Sequence, residues 1–262
     1  MDLKIRDNVY IVTGGLQGIG RGLTNALARE GAIPVVLDKE AETAEFTAAM
    51  KEYGATYDYH VIDLNETDKI APIIEATYKK YGKIDGVVNN AGANDNKDLD
   101  STSWRDFEKS LHGNLTHYYE TVHSAVNYLR ESRGAILNIT SKTALTGQGK
   151  TSAYAAAKAA ILGLTREWAA ALAQDQVRVN AIVVSECWTP LYENWIKTFG
   201  SKEEQEARLA VITDKIPLEK RMTKPEEIAD MGVFLLSPLS SHTTGQWVFV
   251  DGGYVHLDRA LS

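Results

Sequence analysis

The chain has 262 residues, 44% hydrophobic and 24% charged, with a formal net charge of −7. That length supports a sizeable core, and the acidic balance argues against nucleic acid or an anionic membrane as partner. The single cysteine, Cys187, rules out an internal disulfide, fits a reducing compartment and reads as a packing residue. With no signal-peptide core and no apolar run of about 18 residues, the expected location is the cytoplasm.

Residues 9–13 read as a buried strand and 21–30 as a helix, periodic through Leu23, Ala26 and Leu27. Between them lies Gly14-Gly15-Leu16-Gln17-Gly18-Ile19-Gly20. A glycine-rich turn joining strand to helix makes an anion site, because bare N–H groups and the positive helix end face it. Gly14, Gly18 and Gly20 let the backbone approach a pyrophosphate, although the spacing is not the usual Gly-x-Gly-x-x-Gly. A plain tight turn is the other reading. Strand 33–37 ends in Asp38, where an acidic side chain binds both ribose hydroxyls of NAD and repels a 2′-phosphate. Lys39 works the other way, so NAD is expected ahead of NADP. Helix 42–53 and strand 57–62 lead to Asp63-Leu64, where Asp63 either accepts from an adenine amino group or belongs to a helix N-cap region.

Helix 66–81 and strand 84–88 precede Asn89-Asn90-Ala91-Gly92, small and amide residues that suit a ligand lying across a sheet edge. The polar run after it, with Asn94 and Asp95, is a solvated loop or a set of hydroxyl-binding groups. Helical region 104–131 contains Asn114 in an apolar periodicity; a buried mid-helix asparagine needs polar partners or bends the helix around a water. Strand 135–140 ends at Ser141, and helix 152–174 carries Tyr154 and Lys158, four residues apart and so on one face. Phenol, ammonium and hydroxyl together make a proton-transfer device. The cation is expected to draw the tyrosine pKa from near 10 towards neutrality, while Ser141 holds the substrate oxygen. In a chain with 12 tyrosines, Tyr-x-x-x-Lys also arises about once by chance, as a surface pair.

Strand 177–184 is followed by residues 185–213, rich in aromatics that include Trp188 and Trp195, which read as two short helices and a substrate lid. Helix 225–236 starts with proline, and strand 247–250 precedes Asp251-Gly252-Gly253. No linker, repeat or metal-ligand cluster interrupts the alternation of strands and helices. The expected fold is α/β: one domain, 1–262, with a doubly wound parallel sheet and helices on both faces.

Thr13-Gly14-x-x-x-Gly18-Ile19-Gly20, Asn89-Asn90-Ala91-Gly92, Asn114, Ser141, Tyr154, Lys158 and Asp251-Gly252-Gly253, in this order and spacing, resemble the short-chain dehydrogenase/reductase family along nearly the whole chain. The resemblance implies a Rossmann-like fold and NAD(P)-dependent hydride transfer. It makes Tyr154 the general acid/base, sets Lys158 on the nicotinamide ribose where it lowers the tyrosine pKa, lets Ser141 orient the substrate oxygen and gives Asn114 a relay water. It also implies that Asp38 reads ribose, Asp63 adenine and Thr189 the carboxamide, with Gln17, Ile19, Leu64, Asn90, Ala91 and Gly92 along the cofactor. A homotetramer through helices 104–131 and 152–174 is a further implication.

The chain departs from the family pattern at Val184-Ser185-Glu186, where Pro-Gly is usual. Glu186 is either a solvent-facing loop carboxylate or a substrate contact. With Asn94, Asp95, Lys142, Gln148, Trp188 and Trp195 it would line a polyol pocket. Residues 141–149 and 253–261 are similar to bacterial L-fucose-type sugar dehydrogenases. The resulting expectation is NAD-dependent oxidation of a free aldose such as L-fucose to its lactone. A 3-oxoacyl-[acyl-carrier-protein] reductase is the alternative within enzymes, which Asp38 and the acidic chain oppose. A non-catalytic NAD-binding scaffold or redox sensor is the alternative outside them.

Overall fold

The computed structural model describes residues 2–257; the end of the 253–261 peptide, from Asp258 on, lies outside the described residues. The strands are β1 (Val9–Thr13), β2 (Ile33–Asp38), β3 (Asp58–Val61), β4 (Gly86–Asn89), β5 (Ala135–Ser141), β6 (Arg178–Val184) and β7 (Trp247–Val250). They form one sheet in the order β3-β2-β1-β4-β5-β6-β7, and every ladder is parallel. The helices are α1 (Gly18–Arg29), α2 (Ala44–Glu52), α3 (Ile70–Tyr81), α4 (Trp104–Leu111), α5 (His117–Ser132), α6 (Ser152–Ala171), α7 (Pro190–Ile196), α8 (Lys202–Thr213) and α9 (Pro225–Leu236).

Parallel strands are covered on both faces, so they carry near-continuous apolar runs whose side chains alternate between two cores. β1 shows this directly. Tyr10 and Val12 enter a core with Leu23 and Leu27 of α1 and Ile228 and Val233 of α9. Val9 and Ile11 enter the opposite core with Ile74 of α3, Leu129 of α5 and Ala169 of α6. Each such fully buried aliphatic side chain contributes about 1.5–3 kcal/mol, so both layers are held to the sheet by its own strands.

The order of strands reverses at β1 and β4, and in open α/β sheets that reversal leaves a crevice beyond the carboxyl ends. Thr13 and Asn90 pin this point together. The Thr13 hydroxyl accepts the N–H of Asn90 (2.9 Å) and Ala91 (3.2 Å), and Asn90 Nδ2 donates to the carbonyls of Thr13 (3.1 Å) and Gly14 (3.0 Å).

Several boundaries differ from the sequence reading, among them that of helix 66–81, which opens as a 3₁₀ turn, Thr67–Lys69, before α3. The first helix begins at Gly18, not residue 21, so two of the four loop glycines, Gly18 and Gly20, already belong to its first turn. The helical region from Trp104 is two α-helices joined by a π-turn, His112–Thr116, with Asn114 inside it. Helix α6 stops at Ala171. Residues 190–213 hold two helices, as expected, α7 capped by Thr189 and α8 by Ser201. Among the described residues no helix is long and apolar enough to cross a membrane.

Candidate active site

A cleft of about 910 Å³ opens at the reversal point, running from the Gly14–Ile19 loop past Asn90 and Tyr154 to Tyr192. Its first half is made of backbone. Gly14 and Gly18 have φ of 66° and 56°, the left-handed region that glycine adopts freely. A Cβ on Gly20 would stand 2.0 Å from the Gly14 carbonyl oxygen. The N-terminus of α1 has no side-chain cap and no acidic residue in its first turn, so its N–H groups stay available to an anion. Asp38, at the end of β2, accepts the N–H of Leu16 (3.0 Å) and of Glu40 (3.2 Å), which fixes its carboxylate at the cleft wall. Lys39, Asp63, Leu64, Ala91, Gly92 and Thr189 share that wall. Asp63 is turned inward on its own loop, accepting the backbone and side-chain N–H of Asn65, so it forms a local turn and not a helix cap. An uncapped helix end, a cradle that a Cβ would fill and a carboxylate at the ribose position fit a dinucleotide.

The residues expected to react come from β5, α6 and the π-turn. Ser141 Oγ accepts from Thr143 N–H (3.3 Å) and Thr143 Oγ1 (3.1 Å), which leaves its own O–H to donate, and the Tyr154 phenol oxygen takes that bond. Desolvation pushes the Tyr154 phenol up to about 12, and a hydrogen bond with Ser141 pulls against that rise. Lys158 is buried without a carboxylate acting on it, and burial brings its ammonium down to about 7. Its Nζ donates to Tyr118 Oη (3.0 Å) and the Ile139 carbonyl (3.1 Å), 5.6 Å from the Tyr154 ring centroid. The expectation that Lys158 draws the phenol towards neutrality is therefore not met by the protein's own groups. Ser141 supplies the opposing pull, because the lysine is turned to Tyr118 and Ile139.

Asn114 has the polar partners that a buried asparagine requires. Its Oδ1 accepts Ala93 N–H (2.9 Å) and its Nδ2 donates to the Ser110 carbonyl (3.0 Å). A π-turn is a common mark of a functional position in a helix, and here it brings the Asn114 side chain beneath Gly92, where an added Cβ would meet Oδ1 at 2.8 Å and Lys158 Nζ at 3.6 Å.

The far wall is made of side chains. Lys142 forms an ion pair with Glu186, and the two side chains are only 9% and 15% exposed. Glu186 is thus a buried partner and not a solvent-facing loop carboxylate. The Lys142 ammonium lies 4.0 Å from the centroid of the Tyr254 ring, and the Tyr192 phenol hydrogen-bonds Glu186, which with burial raises its pKa. Asn94 and Gln148 line the same space. Asp95, Trp188 and Trp195 do not. Asp95 is exposed on its loop, Trp188 is 39% exposed, and Trp195 packs edge-on behind Tyr192 at 5.3 Å. Tyr192 is the cleft-facing aromatic of α7. Cys187 is buried, and its thiol is pushed up to about 12, which suits a packing residue.

Tyr118 and His117 were not singled out by sequence reading, and Tyr192 and Tyr254 entered it only among the aromatics of 185–213 and in the 253–261 peptide. One signal was available: Tyr118 follows Asn114 by four residues on one helical run, so the two share a face.

Residues 14–255 match the family model for enoyl-(acyl carrier protein) reductases of the short-chain type. The chain is 32% identical to 3-oxoacyl-[acyl-carrier-protein] reductase FabG of Thermotoga maritima, over 97% of this chain and 100% of the relative. It is 33% identical to L-fucose dehydrogenase of Bos taurus, over 97% and 91%; that sugar dehydrogenase is mammalian, where the sequence resemblance pointed to a bacterial group. The crystal structure of Cj0485 dehydrogenase superposes with a TM-score of 0.96 at 48% identity, covering 100% of this chain and 99% of the other. The chain belongs to the short-chain dehydrogenase/reductase family of oxidoreductases, enzymes that use a nicotinamide cofactor.

Proposed function

We propose that this protein oxidises a hydroxyl of a free sugar such as L-fucose, with NAD as its cofactor. The observation that carries the reading is the buried Lys142–Glu186 pair lining the same cleft as Ser141 and Tyr154. An acyl chain or steroid would find a poor surface there, because an ammonium–carboxylate pair offers it no apolar surface to bury against. A polyol finds donors and acceptors for adjacent hydroxyls, with Asn94, Gln148 and the Tyr192 phenol beside them. The bovine L-fucose dehydrogenase match supports the same substrate class, and the fixed Asp38 carboxylate supports NAD over NADP.

When bound, NAD supplies the hydride acceptor. In this reading Ser141 turns its O–H from Tyr154 to the substrate oxygen, and Tyr154, which would ionise with the help of the bound cofactor's positive charge, removes the hydroxyl proton from that oxygen as the general base. Asn114 and the π-turn hold the loop after β4 against the cleft, and Lys158 offers its ammonium to the ribose. Residues 185–213 act as the lid, with α7 closing over the sugar. The reading carries a cytoplasmic homotetramer, paired through helices α4–α5 and α6. Exposed Tyr119 and the hollow beside Leu162, Gly163 and Trp247 support that assembly. Sedimentation of the purified protein tests it, and a monomer would count against it.

Initial rates with NAD and NADP across free aldoses, polyols and secondary alcohols test the reaction. Turnover with NAD and one stereochemical series of sugars is expected. NADPH-driven reduction of an acetoacetyl thioester, with no sugar oxidised, would overturn the reading in favour of a 3-oxoacyl reductase, the activity of the Thermotoga relative. Dinucleotide binding without turnover of any alcohol would favour the scaffold.

A further inference from the structure

Beneath the catalytic lysine lies a second tyrosine that the reaction so far does not use. Tyr118, on the first turn of α5, is fully buried. Its hydroxyl donates to the Ile139 carbonyl at 2.9 Å and accepts from Lys158 Nζ at 3.0 Å, while Lys158 also donates to the same carbonyl at 3.1 Å. Phenol, carbonyl and ammonium close a triangle of hydrogen bonds. A lysine has three N–H donors; two are engaged here, and the residue still lines the cleft.

We propose that Tyr118 is a positioning residue for Lys158: its phenol oxygen and the Ile139 carbonyl fix two of the three ammonium donors, so that the third is aimed into the cleft. An oxygen that accepts from an ammonium also favours the charged form. Tyr118 thereby acts on the lysine twice, in direction and in charge.

The surroundings leave few other groups to do this. From α6, Tyr154 faces the lysine; from α5, Tyr118 and His117 do, His117 with its ring 4.9 Å from that of Tyr118. β5 contributes the Ile139 carbonyl and the π-turn the Asn114 amide. No carboxylate acts on Lys158, whose fall comes from burial alone. His117 is pushed down to about 4 by burial and by the lysine charge, so it stays neutral above that pH. The Tyr118 phenol is raised well above its usual range by burial, with the Tyr154 charge adding to it, and remains a neutral acceptor.

The inference rests on the role proposed for Lys158 towards the nicotinamide ribose, and not on which alcohol is the substrate. It is tested by NADH affinity as a function of pH, read by fluorescence titration, in the wild-type protein and in Tyr118→Phe, Lys158→Met and Tyr154→Phe. In the wild type, affinity should weaken as pH rises through the lysine's titration near 7. Tyr118→Phe keeps the ring and removes the acceptor, so the inflection should move to lower pH by about one unit. Lys158→Met should bind weakly with no inflection, and Tyr154→Phe should keep the wild-type one. A Tyr118→Phe curve lowered evenly at every pH, with its inflection unmoved, assigns Tyr118 a packing role and overturns the proposal. A Lys158→Met curve with the wild-type inflection would instead sink the ribose role of the lysine, and the proposal with it. Thermal melts of each variant, and a Tyr118→His variant that restores a polar neighbour, separate these outcomes from misfolding.

Discussion

The two halves of the cleft are made of different materials. The dinucleotide half is backbone: left-handed glycines, the uncapped amides of α1 and the Leu16 N–H that holds Asp38, all within one strand–turn–helix–strand unit. The substrate half is side chain. Lys142 follows β5, Glu186 follows β6, Tyr192 rides on α7 and Tyr254 follows β7, four separate segments that meet only in the fold. Backbone amides present the same donors whatever the neighbouring side chains, so the first half is suited to a cofactor shared across a family. The second half can be rewritten one side chain at a time, which suits it to selecting a particular substrate.

Tyr154 stands where the halves meet, and removing its hydroxyl should have the largest effect. Tyr154→Phe is expected to lower turnover by about 10²–10⁴-fold while NADH binding persists, because the backbone cradle is untouched. Equal turnover in that variant would remove Tyr154 from the chemistry.

The next largest effect should come from breaking the far wall. Lys142→Met leaves Glu186 buried and unpaired, a change that costs about 3–5 kcal/mol for a fully buried pair and somewhat less at this partial exposure. Lys142→Met/Glu186→Leu removes both charges, and urea melts should show stability largely recovered. Sugar oxidation should stay lost in both. Recovery of activity in the double variant would mean the pair is structural and a polyol reading has no support from it.

In the other half the equivalent break is Gly20→Ala. The new Cβ would stand 2.0 Å from the Gly14 carbonyl oxygen and 2.5 Å from Asn90 Nδ2. The loop must move, at about 1–3 kcal/mol, and dinucleotide affinity should fall at least about tenfold. Titration with NADH reads this in the absence of any sugar. Unchanged affinity would argue that the cofactor is held by side chains after all.

This contrast also governs how much could be read from sequence. β1, the glycine turn, α1 and Asp38 are local in the chain, and glycine marks backbone conformation directly, so they were legible. Ser141, Tyr154 and Lys158 were legible because one strand end and one helical repeat place them. Asn114 was marked as a buried polar group in a helix, yet nothing in residues 112–116 announces a π-turn, which is a matter of how two helices pack. Lys142 and Glu186 were each named as hydroxyl binders, but 44 positions separate them and no pattern foretold that they pair. Trp188 and Trp195 offer in the sequence an aromatic face for a sugar. The direction of α7 decides instead, giving Tyr192 the cleft and Trp195 a place behind it. The pull of Lys158 on Tyr154 failed as an expectation because it assumed the ammonium pointed at the phenol, and Tyr118 holds it elsewhere.

The smallest effect concerns the one side chain that the backbone half relies on. Asp38 Oδ2 accepts from Leu16 and Oδ1 from Glu40, so Asp38→Asn keeps an acceptor oxygen for one of those bonds and removes the charge together with the other acceptor. Hydrogen bonds to a charged group contribute about 1.5–3 kcal/mol and neutral ones about 0.5–1.5. The difference, on the order of 1 kcal/mol, predicts a several-fold to tenfold fall in kcat/KM for NAD. NADP should improve in the same variant, because the carboxylate no longer repels a 2′-phosphate and Lys39 on the cleft wall is left to attract it. Steady-state kinetics with both dinucleotides measures the ratio. If the wild type already uses NADP as well as NAD, Lys39 neutralises Asp38 in place, and cofactor choice then belongs to the adjustable half of the molecule rather than the fixed one.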